Sequence, residues 1–269
     1  MTNETVIFLH SPRSGGTTLN SILRYQYGSN ALHSFRNGFS SDSIDSYFDL
    51  THSEQKKIKC FRGHINFGLH EYVSKNCTYI TILRNPVERV LSLFGYISGI
   101  RGINLLKSKA YSKLEKFLNE GHTGYVYNDQ VRRIAGKTRD QSTNIDDIEI
   151  AKHNLNRYFI VVGITESFDQ SILLMEQLLN WEKRPWYIKN NYHGSGSAVT
   201  DIPNELIDQI KDQNELDLEL YNYALARLNK QVKENNISKQ KLNRFQFVNE
   251  NLVSKIAPPI ISVIRQLRQ

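Results

Sequence analysis

Cysteine is scarce in this sequence: Cys60 and Cys77 are the only two among 269 residues. Two thiols make neither a disulfide framework nor a zinc array, so a reducing, cytoplasmic setting is the expectation. No apolar run approaches the roughly 20 residues of a membrane-spanning helix. The first strand-like run begins almost at Met1, with no basic-then-apolar leader before it, so no cleaved signal is expected. Repeats and low-complexity tracts are missing. So are zinc-finger spacing and the aromatic-basic interleaving of single-stranded nucleic-acid binders, so no nucleic-acid partner is expected. Net charge is also missing from most of the chain. Residues 227–269 hold nine Lys or Arg against Glu234 and Glu250, which accounts for the whole excess of +7. Such a tail can attract an acidic glycan or make peripheral contact with an anionic membrane, and otherwise serves as a solubilising surface.

What is present is an alternation of strand-like and helix-like segments in a chain long enough for one large core. Residues 5–10, 78–83 and 158–162 are apolar almost throughout, as strands covered on both faces must be. Helical patterns occupy 16–25, 86–97, 111–118, 130–134, 166–179 and 203–228, and the polar stretch 136–147 reads as a surface loop. This order predicts an α/β chain: a three-layer, P-loop-like fold with a central parallel sheet flanked by helices and ligand loops at the carboxyl ends of the strands. The expected division is a domain over 1–228 and a basic extension over 229–269.

The first strand feeds a loop with Arg13, Ser14, Gly15, Gly16, Thr17 and Thr18, followed by a helix. A strand–loop–helix of this kind offers backbone N–H groups and a helix N-terminus to an anion. The two glycines permit close approach, the threonines add hydroxyls, and Arg13 adds a charge-assisted fork. Where a Walker A loop has lysine this one has Thr17, which disfavours an ATP-hydrolysing reading. The second strand-like run ends at Arg84, Pro86 opens a helix, and Ser92 lies two turns along. Arg84 and Ser92 make a second anion site, and two such sites suit a nucleotide phosphorylated at two places.

These motifs resemble those of the sulfotransferases. The run from His10 to Leu19, HSPRSGGTTL, is similar to the family's 5′-phosphosulfate loop, with Arg13 at the usual lysine position. RNPVER from Arg84, followed by Ser92, resembles the 3′-phosphate motif. NDQV from Asn128, GITESF from Gly163 and NELDLELY from Asn214 resemble further family segments. The resemblance covers roughly residues 4–228 and is expected to be closest to the heparan sulfate 2-O- and 6-O-sulfotransferase-like group. It implies the donor 3′-phosphoadenosine 5′-phosphosulfate (PAPS), the product adenosine 3′,5′-bisphosphate, and no metal. Arg13, Ser14, Gly15, Gly16, Thr17 and Thr18 would hold the 5′ end, Arg84 and Ser92 the 3′-phosphate, and Gly194 and Ser195 a covering loop. Arg13 would also stabilise the leaving group.

A sugar hydroxyl needs a general base, and His64 is the candidate. Imidazole titrates near neutrality, and Gly63-His64 with Phe67 resembles the catalytic-histidine segment of the 2-O-sulfotransferases. His10, beside the loop, is the rival base or a contact to donor or acceptor. His70 falls in a helix-like run, and the other histidines lack metal-ligand spacing. Arg62, Arg132 and Arg133 are candidate contacts to carboxylate or sulfate groups of an acidic acceptor. Glu166 reads as a tie between a strand end and neighbouring backbone. The expected function is sulfuryl transfer from PAPS to a carbohydrate or other hydroxyl-bearing acceptor. A P-loop kinase or phosphotransferase, which would want lysine at position 17, and a non-catalytic glycan-binding protein on the same fold are the alternatives.

Overall fold

The computed structural model describes residues 4–35, 41–73, 75–99, 108–120, 125–187 and 202–253. Five parallel strands, β1 (Thr5–Leu9), β2 (Leu32–Phe35), β3 (Cys60–Gly63), β4 (Cys77–Leu83) and β5 (Phe159–Ile164), form one sheet in the order β2-β3-β1-β4-β5. β1 lies at its centre and is buried along its whole length. The expected strands at 5–10, 78–83 and 158–162 correspond to β1, β4 and β5. The short β2 and β3 had no clear apolar run; β3 is added by its register with β1, Val6 opposite Cys60, and β2 by its register with β3, Leu32 opposite Cys60.

The described helices are α1 (Gly16–Tyr27), α2 (Ser41–Phe48), α3 (His52–Lys57), α4 (Pro86–Ser98), α5 (Ser108–Glu120), α6 (Asp129–Ile134), α7 (Asp146–Tyr158), α8 (Phe168–Leu178), α9 (Asn204–Asp212), α10 (Glu215–Glu234) and α11 (Lys239–Val248). The sheet core joins β1, β3, β4 and β5 to the inner faces of α1, α7, α8 and α10, with Leu19, Leu155, Leu174 and Ala224 all buried. A second apolar cluster joins α4, α5 and α9 through Val90, Phe94, Leu118 and Ile210. The polar stretch expected as a loop to residue 147 gives way to α7 at Asp146, where Asn144 Oδ1 accepts from the Asp146 amide.

α10 runs unbroken past residue 228, and Arg227 of the basic tail is spent inside the fold, donating to the carbonyls of Leu155 and Phe159. Phe245 of α11 stacks on Trp186 at 5.7 Å. The end of the expected basic extension, from residue 254, and the covering loop with Gly194 and Ser195 lie outside the described residues.

Candidate functional site

The loop between β1 and α1 has a backbone that few residue types allow. Arg13 and Gly15 both take positive φ, 67° and 77°, and a Cβ on Gly15 would come within 3.2 Å of the Phe168 ring. Gly15 caps α1 through its carbonyl, which accepts from the Thr18 amide at 3.1 Å, and no side chain caps the amides of the first turn. The hydroxyls of Ser11 and Ser14 are buried in the same loop without a hydrogen-bond partner. Thr17 is exposed and Thr18 half-buried.

The second motif meets the first directly. Arg13 Nε donates to Ser92 Oγ at 3.1 Å, and Arg84 donates through a terminal guanidinium nitrogen to the Arg13 carbonyl at 3.1 Å. Asn85 caps α4 by accepting from the Val87 and Glu88 amides, and Pro86 occupies the first turn, which fixes the angle at which Arg84 leaves β4. Arg84 pairs with Glu88 at 3.2 Å. Arg13 has no carboxylate partner among the described residues; its guanidinium lies over the Tyr96 ring at 4.9 Å. Burial and the neighbouring Arg84 charge lower its pKa, so the site favours an incoming anion. Glu166 accepts from the Asn85 amide at 3.1 Å and ties β5 to the start of α4.

The histidines stand on the other side of the loop. His10 and His64 stack with ring centroids 4.3 Å apart, and His10 also stacks on Phe8 at 5.3 Å. His64 Nδ1 lies 3.1 Å from the His10 carbonyl oxygen. A carbonyl only accepts, so Nδ1 carries the proton and Nε2 keeps its lone pair in the neutral ring. Burial holds the His64 pKa below its ordinary value, and burial followed by the His64 and Arg133 charges pushes that of His10 down further. Both rings are neutral near pH 7. His70, by contrast, is tied to the Tyr79 hydroxyl at 3.0 Å and packs on Phe67.

A cavity of about 360 Å³ opens beside the pair, lined by His10, His64 and Arg62 together with Asn20, Arg24 and Ser34 among others. Arg62, a candidate acceptor contact, thus lines a cavity shared with both histidines. Arg132 and Arg133 do not line this cavity. Both are buried on α6, where Arg133 Nε binds Asp129 at 2.9 Å and Arg132 binds the same carboxylate. Arg133 also donates to the His64 carbonyl at 3.2 Å. Arg24, Asn20 and Ser34 were not singled out from the sequence, although Thr17, Asn20, Ser21 and Arg24 follow helical spacing and mark one face of α1.

Beneath the site, the fully buried Arg89 reaches Asp129 at 3.7 Å and Asp217 at 3.8 Å. Burial would raise the Asp129 pKa, but Arg133, Arg89 and Arg132 outweigh it and hold the group ionised. Asn128 and Asn214 exchange hydrogen bonds with each other's segments, Asn128 N–H to Asn214 Oδ1 and Asp217 N–H to Asn128 Oδ1, both at 3.0 Å. Among the described residues, no group of three or more His, Cys, Asp or Glu could hold a metal ion, and no helix is long and apolar enough to cross a membrane.

Two joined loops and a histidine pair stand together at the carboxyl edge of the parallel sheet, and the family match makes the chain a protein of the sulfotransferase class. The chain belongs to the galactose-3-O-sulfotransferase family, which matches residues 1–252. It is 25% identical over 238 residues to galactosylceramide sulfotransferase of Bos taurus and 25% identical over 244 residues to galactose-3-O-sulfotransferase 3 of Homo sapiens, each time over 82% of this chain and 56% of the relative. The chain thus spans little more than half the length of these curated relatives. A solved mouse sulfotransferase complexed with PAP superposes with a TM-score of 0.40 at 15% identity, over 68% of this chain and 60% of that one. Family membership corrects the expected heparan sulfate 2-O- and 6-O-like subgroup. The motifs that suggested it lie mostly on the donor side, and a donor loop carries no information about which sugar is sulfated.

Proposed function

We propose that this chain transfers the sulfuryl group of PAPS to a hydroxyl of a galactose-bearing carbohydrate. The observation that carries the reading is the junction of the two anion motifs through Arg13, Ser92 and Arg84, directly beside the histidine pair. The residues present fit the donor: a loop with orphaned hydroxyls, a helix N-terminus, and an arginine without a carboxylate partner. When bound, PAPS supplies the activated sulfuryl group. Arg13, Ser14, Gly15, Gly16, Thr17 and Thr18 would hold its 5′ end, and Arg84 and Ser92 would hold its 3′-phosphate, as a nucleotide with two phosphorylated positions requires.

His64 Nε2 takes the proton of the attacking hydroxyl, while the bond from Nδ1 to the His10 carbonyl fixes the ring and stabilises its charged form. Arg13 would face the donor's leaving oxygen, where its cation would supply the kind of contact that lowers a barrier because it strengthens in the transition state. The galactose acceptor is taken from the names of the relatives, and His10 and Arg62 face it from the cavity. Calorimetry tests the donor half: adenosine 3′,5′-bisphosphate should bind far more tightly than AMP, and equal affinities would overturn the assignment. Transfer of labelled sulfate from PAPS to a panel of β-galactosides, read by product mass, tests the rest.

A further inference from the structure

The cavity beside the histidines carries a charge pattern that a neutral sugar does not call for. Arg24 on α1 and Arg62 on β3 both face it, and none of its lining residues is acidic. Arg62 is held in place by neutral oxygens alone: its Nε donates to Ser34 Oγ at 2.8 Å, and a terminal nitrogen donates to the Asn20 carbonyl at 3.0 Å. These bonds aim the guanidinium without cancelling its charge. Neither arginine has an ion pair among the described residues, and burial together with the Arg24 charge lowers the Arg62 pKa, so the two cations work against each other.

A solvated helix charge would account for Arg24 alone, since it lies in the last turn of α1, where a cation is favourable. It does not account for a second, half-buried arginine facing the same space. A cleft walled by one sign of charge concentrates ligands of the opposite sign. Thr17 of the anion loop lines the inner part of the same cavity, but Arg24 stands seven residues beyond it, about 10 Å along the helix, on the side away from that loop.

We propose that the acceptor is an acidic galactoside whose carboxylate or sulfate ester, on a sugar neighbouring the reacting one, is bound by Arg62 and Arg24. This rests on the reading of the chain as a galactoside sulfotransferase. The planar guanidinium fork suits either anion by two parallel hydrogen bonds.

The test is calorimetry on the chain with adenosine 3′,5′-bisphosphate present, titrating a glucuronosyl-galactose disaccharide and its carboxyl-reduced counterpart. A third arm uses a galactosyl disaccharide bearing one sulfate ester and distinguishes the two anions. One or both acidic sugars should bind at least tenfold more tightly than the reduced one, with the advantage shrinking as salt rises from about 0.05 to 0.5 M. Arg24→Glu and Arg62→Gln should each cut that preference about tenfold, the loss expected for one charge-assisted contact. Arg62→Lys should keep part of it. If Arg62→Gln fails to fold, Arg24→Glu decides, since that side chain is exposed. Equal affinity for acidic and reduced sugars, or variants that weaken both alike, would overturn the proposal. Acid-selective binding without sulfate transfer would remove the enzymatic reading and keep the anion site. Transfer to neutral galactosides with no acid preference would do the opposite.

Discussion

Replacing Gly16 with alanine probes the contact on which the histidine pair depends. A Cβ at this position would lie 1.8 Å from His10 Nε2 and 2.0 Å from its Cδ2. Ordinary contact begins near 3.4 Å, so the ring must retreat by about 1.5 Å. It cannot do so freely, because Phe8 stacks on it at 5.3 Å and His64 at 4.3 Å. Overpacking of this kind costs about 1–3 kcal/mol. Alanine gains up to about 1 kcal/mol over glycine in a helix interior, and less here in the first turn of α1. A net loss of stability is therefore expected, read as a lower urea midpoint at constant slope. Turnover should fall about 10²-fold, the effect of a displacement near 1 Å at a reacting group. The decisive control is a double-mutant cycle: in a His10→Ala background the added methyl meets no ring, and Gly16→Ala should be nearly neutral for stability. A Gly16→Ala variant with wild-type midpoint and turnover, or an equal cost in both backgrounds, would refute the argument.

His64→Ala should lower turnover by about 10²–10⁴-fold while leaving affinity for adenosine 3′,5′-bisphosphate nearly unchanged. Wild-type activity should fall as pH drops through the depressed His64 pKa, and a pH–rate series should show that acidic limb missing in the variant. Arg84→Ala should remove most of the preference for the bisphosphate over AMP, about 1.5–3 kcal/mol for a charge-assisted bond. Arg13→Ala should instead slow transfer far more than it weakens product binding, and equal losses in a kinetic and calorimetric comparison would make Arg13 a binding residue only. Arg89→Met leaves two buried carboxylates short of their shared cation and should cost about 3–5 kcal/mol in denaturant unfolding. Stability should also rise with pH between the depressed folded pKa of His10 and its ordinary value near 6.5, because the unfolded chain binds the extra proton there. His10→Asn should flatten that slope in melts across the pH range.

Legibility in the sequence followed the physics of each element. β1, β4 and β5 are buried on both faces and read as unbroken apolar runs. β2 and β3 have four residues each, and their runs are interrupted by His33, Ser34, Arg62 and Gly63. β3 exists through pairing in register with β1, and β2 through pairing with β3, which no local pattern reveals. Those two strands wall the cavity, so it was the less readable half of the site. α7 was half hidden because it passes into β5 with no glycine or proline between them. The β1–α1 and β4–α4 loops were visible, since each carries particular residues at fixed spacing after a strand. The partner of Arg132 and Arg133 was also within reach: Asp129 stands three and four residues before them on α6, the spacing at which helical side chains meet.

That carboxylate explains how the two halves of the site keep their relative position. Gln130, next to Asp129, donates to the Arg84 carbonyl at 3.0 Å and accepts from the Arg84 amide at 2.9 Å, so α6 grips the second anion motif at its first residue. One turn on, Arg133 holds the His64 carbonyl and accepts from the Phe67 amide at 2.8 Å through its own carbonyl. A helix of six residues thus touches both the 3′-phosphate motif and the histidine segment. So short a helix has little stability of its own. The amides of Gln130 and Val131 are capped from below by Asp217 at 3.2 and 2.8 Å, while Arg89 bridges Asp217 to Asp129. Burying four or five charges rarely stabilises a fold more than apolar packing would. A charged cluster beneath the site has geometric value instead: its directional bonds fix α6, and α6 sets the spacing between Arg84 and His64.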